Sequence, residues 1–314
     1  MPMKQIADRP CPPEDPLGCC RLCGRRCGVD RRRGRTGLCR AGPLPRVARW
    51  LAHRGEEPPL SGVNGSGTIF FTGCPLRCVF CQNAAISQTG EGREVTPEEL
   101  AGIMLALQGM GCHNVNLVSP THHGVAIAEA IGQARRGGLS VPVVYNTHGY
   151  DTAEALARMA GKVDIYLVDM KYASDRTARA FSGVDGYRDA NRAAVREMMA
   201  QVGPLQVDSA CGLGVRGVLV RILLLPGGLE GVEASLSFLK SRFSSDLPVS
   251  LMSQYAPVYL ASSHPPLDRC LRRAEYEAAV AFAVRLGFRN LWLQDLGSSE
   301  VGVPDFTAAE PFEF

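Results

Sequence analysis

Three cysteines stand within eight positions in the stretch FTGCPLRCVFCQN, residues 71–83: Cys74, Cys78 and Cys81, directly after an apolar run. A disulfide uses two sulfurs, and a closed tetrahedral zinc site usually takes four protein ligands. Three thiolates on a C-x3-C-x2-C spacing therefore point to a metal centre with one position left open. Thiolates are the usual ligands of iron–sulfur clusters, normally four per cluster. An iron left without a thiolate can bind a small chelating molecule. The plainer alternative is a structural zinc knuckle completed by a distant fourth ligand, which the spacing disfavours.

A second set lies upstream. CRLCGRRCGVDRRRGRTGLC supplies Cys20, Cys23, Cys27 and Cys39 as C-x2-C-x3-C-x11-C. Four thiols from a glycine-turned loop can close around zinc, slightly favoured as the default, or hold a second iron–sulfur cluster. Cys19 could replace Cys20 as a ligand, and Cys11 reads as free. Cys112, Cys211 and Cys270 stand alone and read as small core residues. Nine of the twelve cysteines fall within the first 81 of 314 residues, which favours metal ligation over a disulfide scaffold and implies a reducing cytoplasm. The proline-rich, charged N-terminus has no apolar signal-peptide core. No apolar run approaches the roughly 18 residues of a membrane span, so no membrane partner is expected.

Charge is uneven. Residues 21–49 hold ten arginines against a single acid, Asp30. They contain no aromatic side chain on which a base could stack, so RNA is the weaker reading of that basic stretch. From Gly297 onward the chain carries Glu300, Asp305, Glu310 and Glu313 and no base.

The secondary structure that would place these groups can be read from apolar patterning. Strands are expected at 67–73, 114–120, 141–147, 163–171, 217–226, 248–255 and 290–296, mostly apolar throughout, as parallel strands covered on both faces should be. Amphipathic stretches separate them. TPEELAGIMLALQGMG offers Thr96 as N-cap, Pro97 in the first turn and Glu99 to close a capping box. Repeated βα units imply an α/β fold: a partial (β/α) barrel of parallel strands behind a small N-terminal Cys-rich metal knuckle. The expected divisions are a flexible N-terminus (1–18), knuckle and linker (19–60), barrel (61–296) and acidic tail (297–314). Chemistry in such barrels sits at strand C-termini, where Cys74, Asn146, Asp169, Lys171, Arg221 and Gln254 lie. The loop SGVNGSGT (61–68) lacks the Lys-Ser/Thr ending of a phosphate-binding loop.

CPLRCVFC resembles the CxxxCxxC motif of radical S-adenosylmethionine enzymes, with Phe80 in the aromatic position before the third cysteine. The resemblance runs from about Cys20 to Gln294. It is closest to the pyruvate formate-lyase activating enzyme-like group, in its branch of uncharacterised iron–sulfur proteins. GSGTIFFTGCPLRCVFCQNAAISQ, VVYNTHGY, DIYLVDMKY, VLVRILLLPG and SLMSQYAP carry it. The resemblance implies a 4Fe–4S cluster on Cys74, Cys78 and Cys81, with S-adenosylmethionine (SAM) chelating the fourth iron. It further implies a reductant such as flavodoxin or ferredoxin, and cleavage of SAM to a 5′-deoxyadenosyl radical that abstracts hydrogen.

Residues 146–149 and 169–171 stand where the activating enzymes carry an Asp-Thr-Asn-Gly-like turn and Asp-x-Lys, regions that seat SAM. Lys171 and Arg221 would meet the SAM carboxylate, with Asn146, Asp169 and Gln254 beside it. An internal Asp169–Lys171 ion pair is the structural alternative. Strand two ends NLVSPTHHG rather than in a Gly-Gly-Glu-like motif, so Ser119, Thr121 or local carbonyls would hold the amino group. His122 and His123 read as proton donors, substrate contacts or exposed loop histidines without a task. The implied activity is formation of a glycyl radical on a partner enzyme. Radical modification of RNA, a peptide or a small molecule is the first rival, and a non-catalytic metal-binding adaptor the second.

Overall fold

A computed structural model describes residues 15–298, 303–306, 308, 311 and 312. The expected flexible N-terminus lies outside the described residues up to position 14, with Cys11; so do Glu300, Glu310 and Glu313 of the tail.

Strand β1 (Arg46–His53) leads through a one-turn helix α1 (Pro58–Ser61) into β2 (Ser66–Phe71), buried at every residue. The short α2 (Ala84–Ser87) and β3 (Arg93–Glu94) precede α3 (Pro97–Gly109). Strand and helix then alternate through β4 (Val115–Val118), α4 (Gly124–Arg136), β5 (Val143–Thr147), α5 (Ala153–Met159) and β6 (Ile165–Asp169). Two helices, α6 (Asp175–Ser182) and α7 (Tyr187–Val202), and the short β7 (Gln206–Val207) come before β8 (Gly214–Leu223). The series closes with α8 (Leu229–Arg242), β9 (Val249–Met252), α9 (Arg273–Arg285) and β10 (Leu291–Leu293).

The sheet runs β10-β9-β8-β6-β5-β4-β2-β1-β3. From β10 to β2 every neighbouring pair is parallel. β1 is antiparallel to β2, β3 is antiparallel to β1, and β7 pairs antiparallel with β8. All seven expected strands are present, and the fold is the expected α/β partial barrel. Thr96 and Glu99 form the capping box, Glu99 N–H donating to Thr96 Oγ1 at 3.1 Å and Thr96 N–H to Glu99 Oε2 at 2.8 Å. Helices cover the outer face of the strands. Inside, Leu60 of α1 packs against Val144, Ile165, Leu167 and Leu219 and plugs the N-terminal end.

β1 corrects the expected boundary at residue 60. Residues 46–53 are not linker but part of the main sheet, pairing along the length of β2. The strand is only partly buried along most of its length, with Val47 and Ala52 joining one apolar cluster and Ala48 and Leu51 packing against Phe70 and Phe306 in another. Cys112 is buried as expected, whereas Cys211 and Cys270 are exposed. Both lie in loops between elements, where no core face exists to receive them.

The segment 20–39 folds back on itself, with Cys20 N–H donating to the Val29 carbonyl and Gly28 N–H to the Cys20 carbonyl. It docks on the C-terminal rim of the barrel. Gly24 N–H donates to the Tyr150 carbonyl at 2.9 Å, and Cys23 pairs with Asp151 in an isolated bridge. Arg25 donates through Nε to the Pro75 carbonyl and through Nη2 to the Gly183 carbonyl at 2.8 Å. Gly73 is required where the two parts touch: a Cβ there would stand 2.2 Å from the Cys39 carbonyl oxygen, and its φ is +83°.

Candidate active site

Cys74 follows β2 by three residues, at the strand's C-terminal end. The parallel registers Phe70↔Val118, Val118↔Asn146 and Asp169↔Arg221 bring the ends of β2, β4, β5, β6 and β8 to one rim. A cavity of about 750 Å³ opens there. Cys74, Cys78 and Cys81 line it together with Phe80, Ser119, Asn146, Asp169, Lys171, Arg221 and Gln254. Of the residues expected to hold the cluster and SAM, Thr121 is absent from the wall. It is fully buried, its Oγ1 3.3 Å from Thr147 Oγ1, in the hydroxyl group around Asp151. Ser119 takes φ +56° and turns the chain sharply, so a residue two places on is carried behind the wall.

Cys78 and Cys81 are held by neighbouring hydroxyls. Cys78 Sγ lies 2.9 Å from Ser182 Oγ, itself 2.6 Å from the Tyr172 hydroxyl, and Cys81 Sγ lies 3.2 Å from Ser87 Oγ. Phe80 packs on Tyr255 with ring centroids 5.8 Å apart. Burial, and then the neighbouring thiols, pushes Cys74 far up and Cys81 up to about 11. Thiols that resist ionising, as Cys74 and Cys81 do, become thiolates readily when a cation joins them. This donor set, desolvated and facing one cavity, fits an iron–sulfur cluster.

Lys171 Nζ bonds Asp169 Oδ2 at 2.7 Å, so the ion pair is present. Burial opposes the ammonium, but Asp169 and the thiols of Cys78 and Cys81 outweigh it and push Lys171 up. An ammonium has three donors, so one partner leaves others for a ligand.

Arg221 is committed differently. Its Nε donates to Glu57 Oε1 at 2.7 Å, and its Nη2 donates to Glu57 Oε2 at 2.5 Å and to Glu56. All three side chains are buried. Burial would raise Glu57, but Arg221 prevails and holds it below the usual carboxylate range. Two carboxylates on one guanidinium leave little of Arg221 for a ligand's carboxylate.

Glu56 and Glu57 escape a reading of the sequence because two acids before Pro-Pro look like a solvated turn. Only the unexplained cation in an apolar strand, Arg221, signals that a counter-charge is needed. His148 also joins the cavity wall, its Nδ1 accepting from Tyr150 N–H at 3.1 Å. Gln254 Oε1 accepts from Gln294 Nε2 at 2.8 Å. His122 and His123 are not exposed loop residues. Both are buried, with Nε2 2.8 and 3.3 Å from the Thr72 carbonyl, and burial pulls His122 down to about 4 and His123 far down. They brace the end of β2.

In the knuckle, Cys19 is disulfide-bonded, which leaves Cys20 as the free thiol of that pair. Cys20 shares a hydrogen bond with Cys27 that pushes Cys20 up and draws Cys27 down to about 6. Arg31, 2% exposed, donates through Nη2 to Cys20 Sγ at 3.0 Å and Cys39 Sγ at 3.6 Å, and through Nη1 to the His122 carbonyl. Two of the four thiols, Cys20 and Cys39, thus share one guanidinium. Among the described residues no three His, Cys, Asp or Glu side chains are placed to share one metal ion. No described helix is long and apolar enough to cross a membrane.

The family description "Radical SAM superfamily" matches residues 68–227. An uncharacterised protein of Methanocaldococcus jannaschii, MJ0674, is 31% identical over 273 residues, 84% of this chain and 74% of that protein. Among solved structures, Streptococcus suis SuiB bound to its precursor peptide SuiA is similar with a TM-score of 0.50 and 10% identity. That match covers 74% of this chain and 50% of SuiB. SuiB bound to S-adenosylmethionine gives a TM-score of 0.51 at 11% identity, over 73% of this chain and 50% of SuiB. The chain spans about half the length of SuiB, and at such identity the likeness is one of fold.

Proposed function

Because the chain belongs to the radical SAM superfamily, whose members carry a 4Fe–4S cluster and cleave SAM, we propose that it activates a glycyl radical enzyme by hydrogen abstraction. The observation that carries this reading is the convergence of Cys74, Cys78 and Cys81 on one deep cavity beside the Asp169–Lys171 pair. When bound, the cluster and SAM supply a 5′-deoxyadenosyl radical after one-electron reduction. The chain's own residues do the rest. Cys74, Cys78 and Cys81 hold the cluster, Cys81 oriented by Ser87 and Cys78 by Ser182 with Tyr172. Lys171 orients a carboxylate with the donors that Asp169 leaves free, and Phe80 keeps water from the cysteine end. Ser119 and Asn146 line the side where the amino group would sit. The cavity continues to Trp292 and Leu293, leaving space beside a cofactor for a residue of another chain. The branch resemblance to pyruvate formate-lyase activating enzymes supports a glycyl residue there.

The test is 5′-deoxyadenosine formation by anaerobically reconstituted protein under dithionite, for wild type and for Cys74→Ala, Cys78→Ala and Cys81→Ala. Each variant should be inactive, since loss of one thiolate removes a cluster anchor. Full activity in any of them would remove the radical mechanism. Deuterium appearing in 5′-deoxyadenosine from a glycine-deuterated partner enzyme identifies the substrate; transfer only from a small molecule or RNA rejects glycyl activation.

A further inference from the structure

Charged side chains deep in the cavity are committed to one another: Asp169 to Lys171, and Glu56 and Glu57 to Arg221. Beside β9 and β10 the wall carries neutral carboxamides instead, those of Gln82, Gln254 and Gln294, all partly exposed. Hydrogen bonds fix their orientation. Gln294 Oε1 accepts from the backbone N–H of Ser253 at 3.1 Å and of Gln254 at 3.3 Å, so its amide nitrogen faces the other way. That nitrogen donates to Gln254 Oε1 at 2.8 Å, which sets the second amide in turn. Gln82 Nε2 donates to the Gln254 backbone carbonyl at 2.8 Å. Two polar atoms are left over. Among the described residues, Gln254 Nε2 has no acceptor and Gln82 Oε1 has no donor.

We propose that Gln254 and Gln82 read a backbone amide of the substrate, Gln254 Nε2 donating to its carbonyl and Gln82 Oε1 accepting from its N–H. The occupant is a neutral peptide segment, a choice that rests on the glycyl-radical reading and deepens it. One carboxamide donor beside one carboxamide acceptor suits a peptide unit, which offers one of each. Position agrees with chemistry. Gln82 directly follows Cys81, so a segment held there lies near the cysteine end of the cavity. β10 is the last strand of the sheet and its Leu293 is 50% exposed, so another chain can approach along that edge. Asp295 lines the same side and repels a phosphate or carboxylate, which argues against RNA and acidic small molecules. Because Gln294 already holds the Gln254 amide in place, little ordering remains to be done when the peptide arrives.

The test uses reconstituted holoenzyme, as wild type, Gln254→Leu and Gln294→Leu. The probe is a capped heptapeptide of alanines around one central glycine, deuterated at that glycine. Peptide and SAM affinities are measured by calorimetry at matched iron content, and deuterium in 5′-deoxyadenosine by mass spectrometry. Gln254→Leu should bind the peptide about tenfold more weakly or worse, with SAM affinity within about threefold of wild type. Gln294→Leu, which frees the Gln254 amide to rotate, should weaken the peptide by a smaller factor, about threefold. Equal peptide affinity in wild type and Gln254→Leu overturns the proposal, and so does failure of wild type to bind the peptide. A loss of SAM affinity in Gln254→Leu as large as the loss for the peptide also overturns it, by placing this amide on the cofactor. Peptide binding that depends on Gln254 without any deuterium transfer refutes glycyl activation and leaves the amide site standing.

Discussion

Arg221→Met separates two accounts of one buried cation. Methionine keeps most of the bulk and removes every donor that Glu56 and Glu57 share. The Glu56 and Glu57 side chains are only 8% and 6% exposed, so neither carboxylate can turn to water. Glu56 would retain Asn116 Nδ2, which donates to Oε1 at 2.8 Å. Removing one partner of a buried ion pair costs about 3–5 kcal/mol. At about 2 °C per kcal/mol for a chain of this size, the apo protein should melt about 6–10 °C lower. Adding Glu56→Gln and Glu57→Gln should recover most of that loss, because neutral amides are far cheaper to bury than lone carboxylates. Lowering the pH should narrow the deficit. The orphaned carboxyls would titrate above their unfolded values in the single variant, so the folded state regains stability as they take up protons. The assay is thermal melting of apo wild type, single and triple variants at pH 7.5 and 5.5, with SAM affinity of the reconstituted proteins alongside. An apo melt within about 2 °C of wild type, with SAM affinity down tenfold or more, would refute this reasoning and return Arg221 to the SAM carboxylate.

Three further outcomes are expected of other positions. His122, down at about 4 when folded and 6.5 as its ordinary value, stays neutral in the folded chain while the unfolded chain takes up a proton. Its contribution of about 3 kcal/mol is therefore full above about pH 6.5 and lost as pH falls toward 4; urea unfolding at stepped pH should show a shallower slope in His122→Gln. Thr96→Ala should lower stability by about 0.5–2 kcal/mol in thermal melts without altering SAM affinity, since it breaks only the α3 capping box. Gly73→Ala should cost at least about 1–2 kcal/mol from its left-handed backbone alone, and iron per protein should fall as the added carbon drives Cys39 away from the cysteine loop.

The parallel strands were legible because burial on both faces writes uninterrupted apolar runs, as in FF of β2 or VV of β5. β1 was not, since its sequence RVARWLAH mixes arginines with apolar residues and is only partly buried along most of its length. The three cysteines of the site could be read from spacing, because ligands to one centre on a tight loop must be close in sequence. The polar wall was readable where a residue stands at or next to the end of a strand, as Asp169 and Asn146 do, and failed at Thr121, where a single positive φ at Ser119 redirects the chain. The partners of Arg221 lie more than 160 positions away, and no local pattern carries such a pairing. Cys211 and Cys270 failed for a related reason, since a lone cysteine says nothing of which side of a loop it occupies.

The docking of the knuckle on the barrel also has a consequence for the order of folding. Its seats are distant in sequence: Arg31 bonds a carbonyl 91 residues later, Thr152 bonds the Arg21 carbonyl across 131, and Arg25 bonds Gly183 across 158. A chain made from its N-terminus thus presents Cys20, Cys23, Cys27 and Cys39 well before any of those seats has been synthesised. Contacts of such separation form late, after long loops have closed. Through that interval the four thiols stand in solvent, open to oxidation and mispairing, without Arg31 packed among them. The reducing power available during translation, more than after it, then governs how much of the chain reaches the folded state.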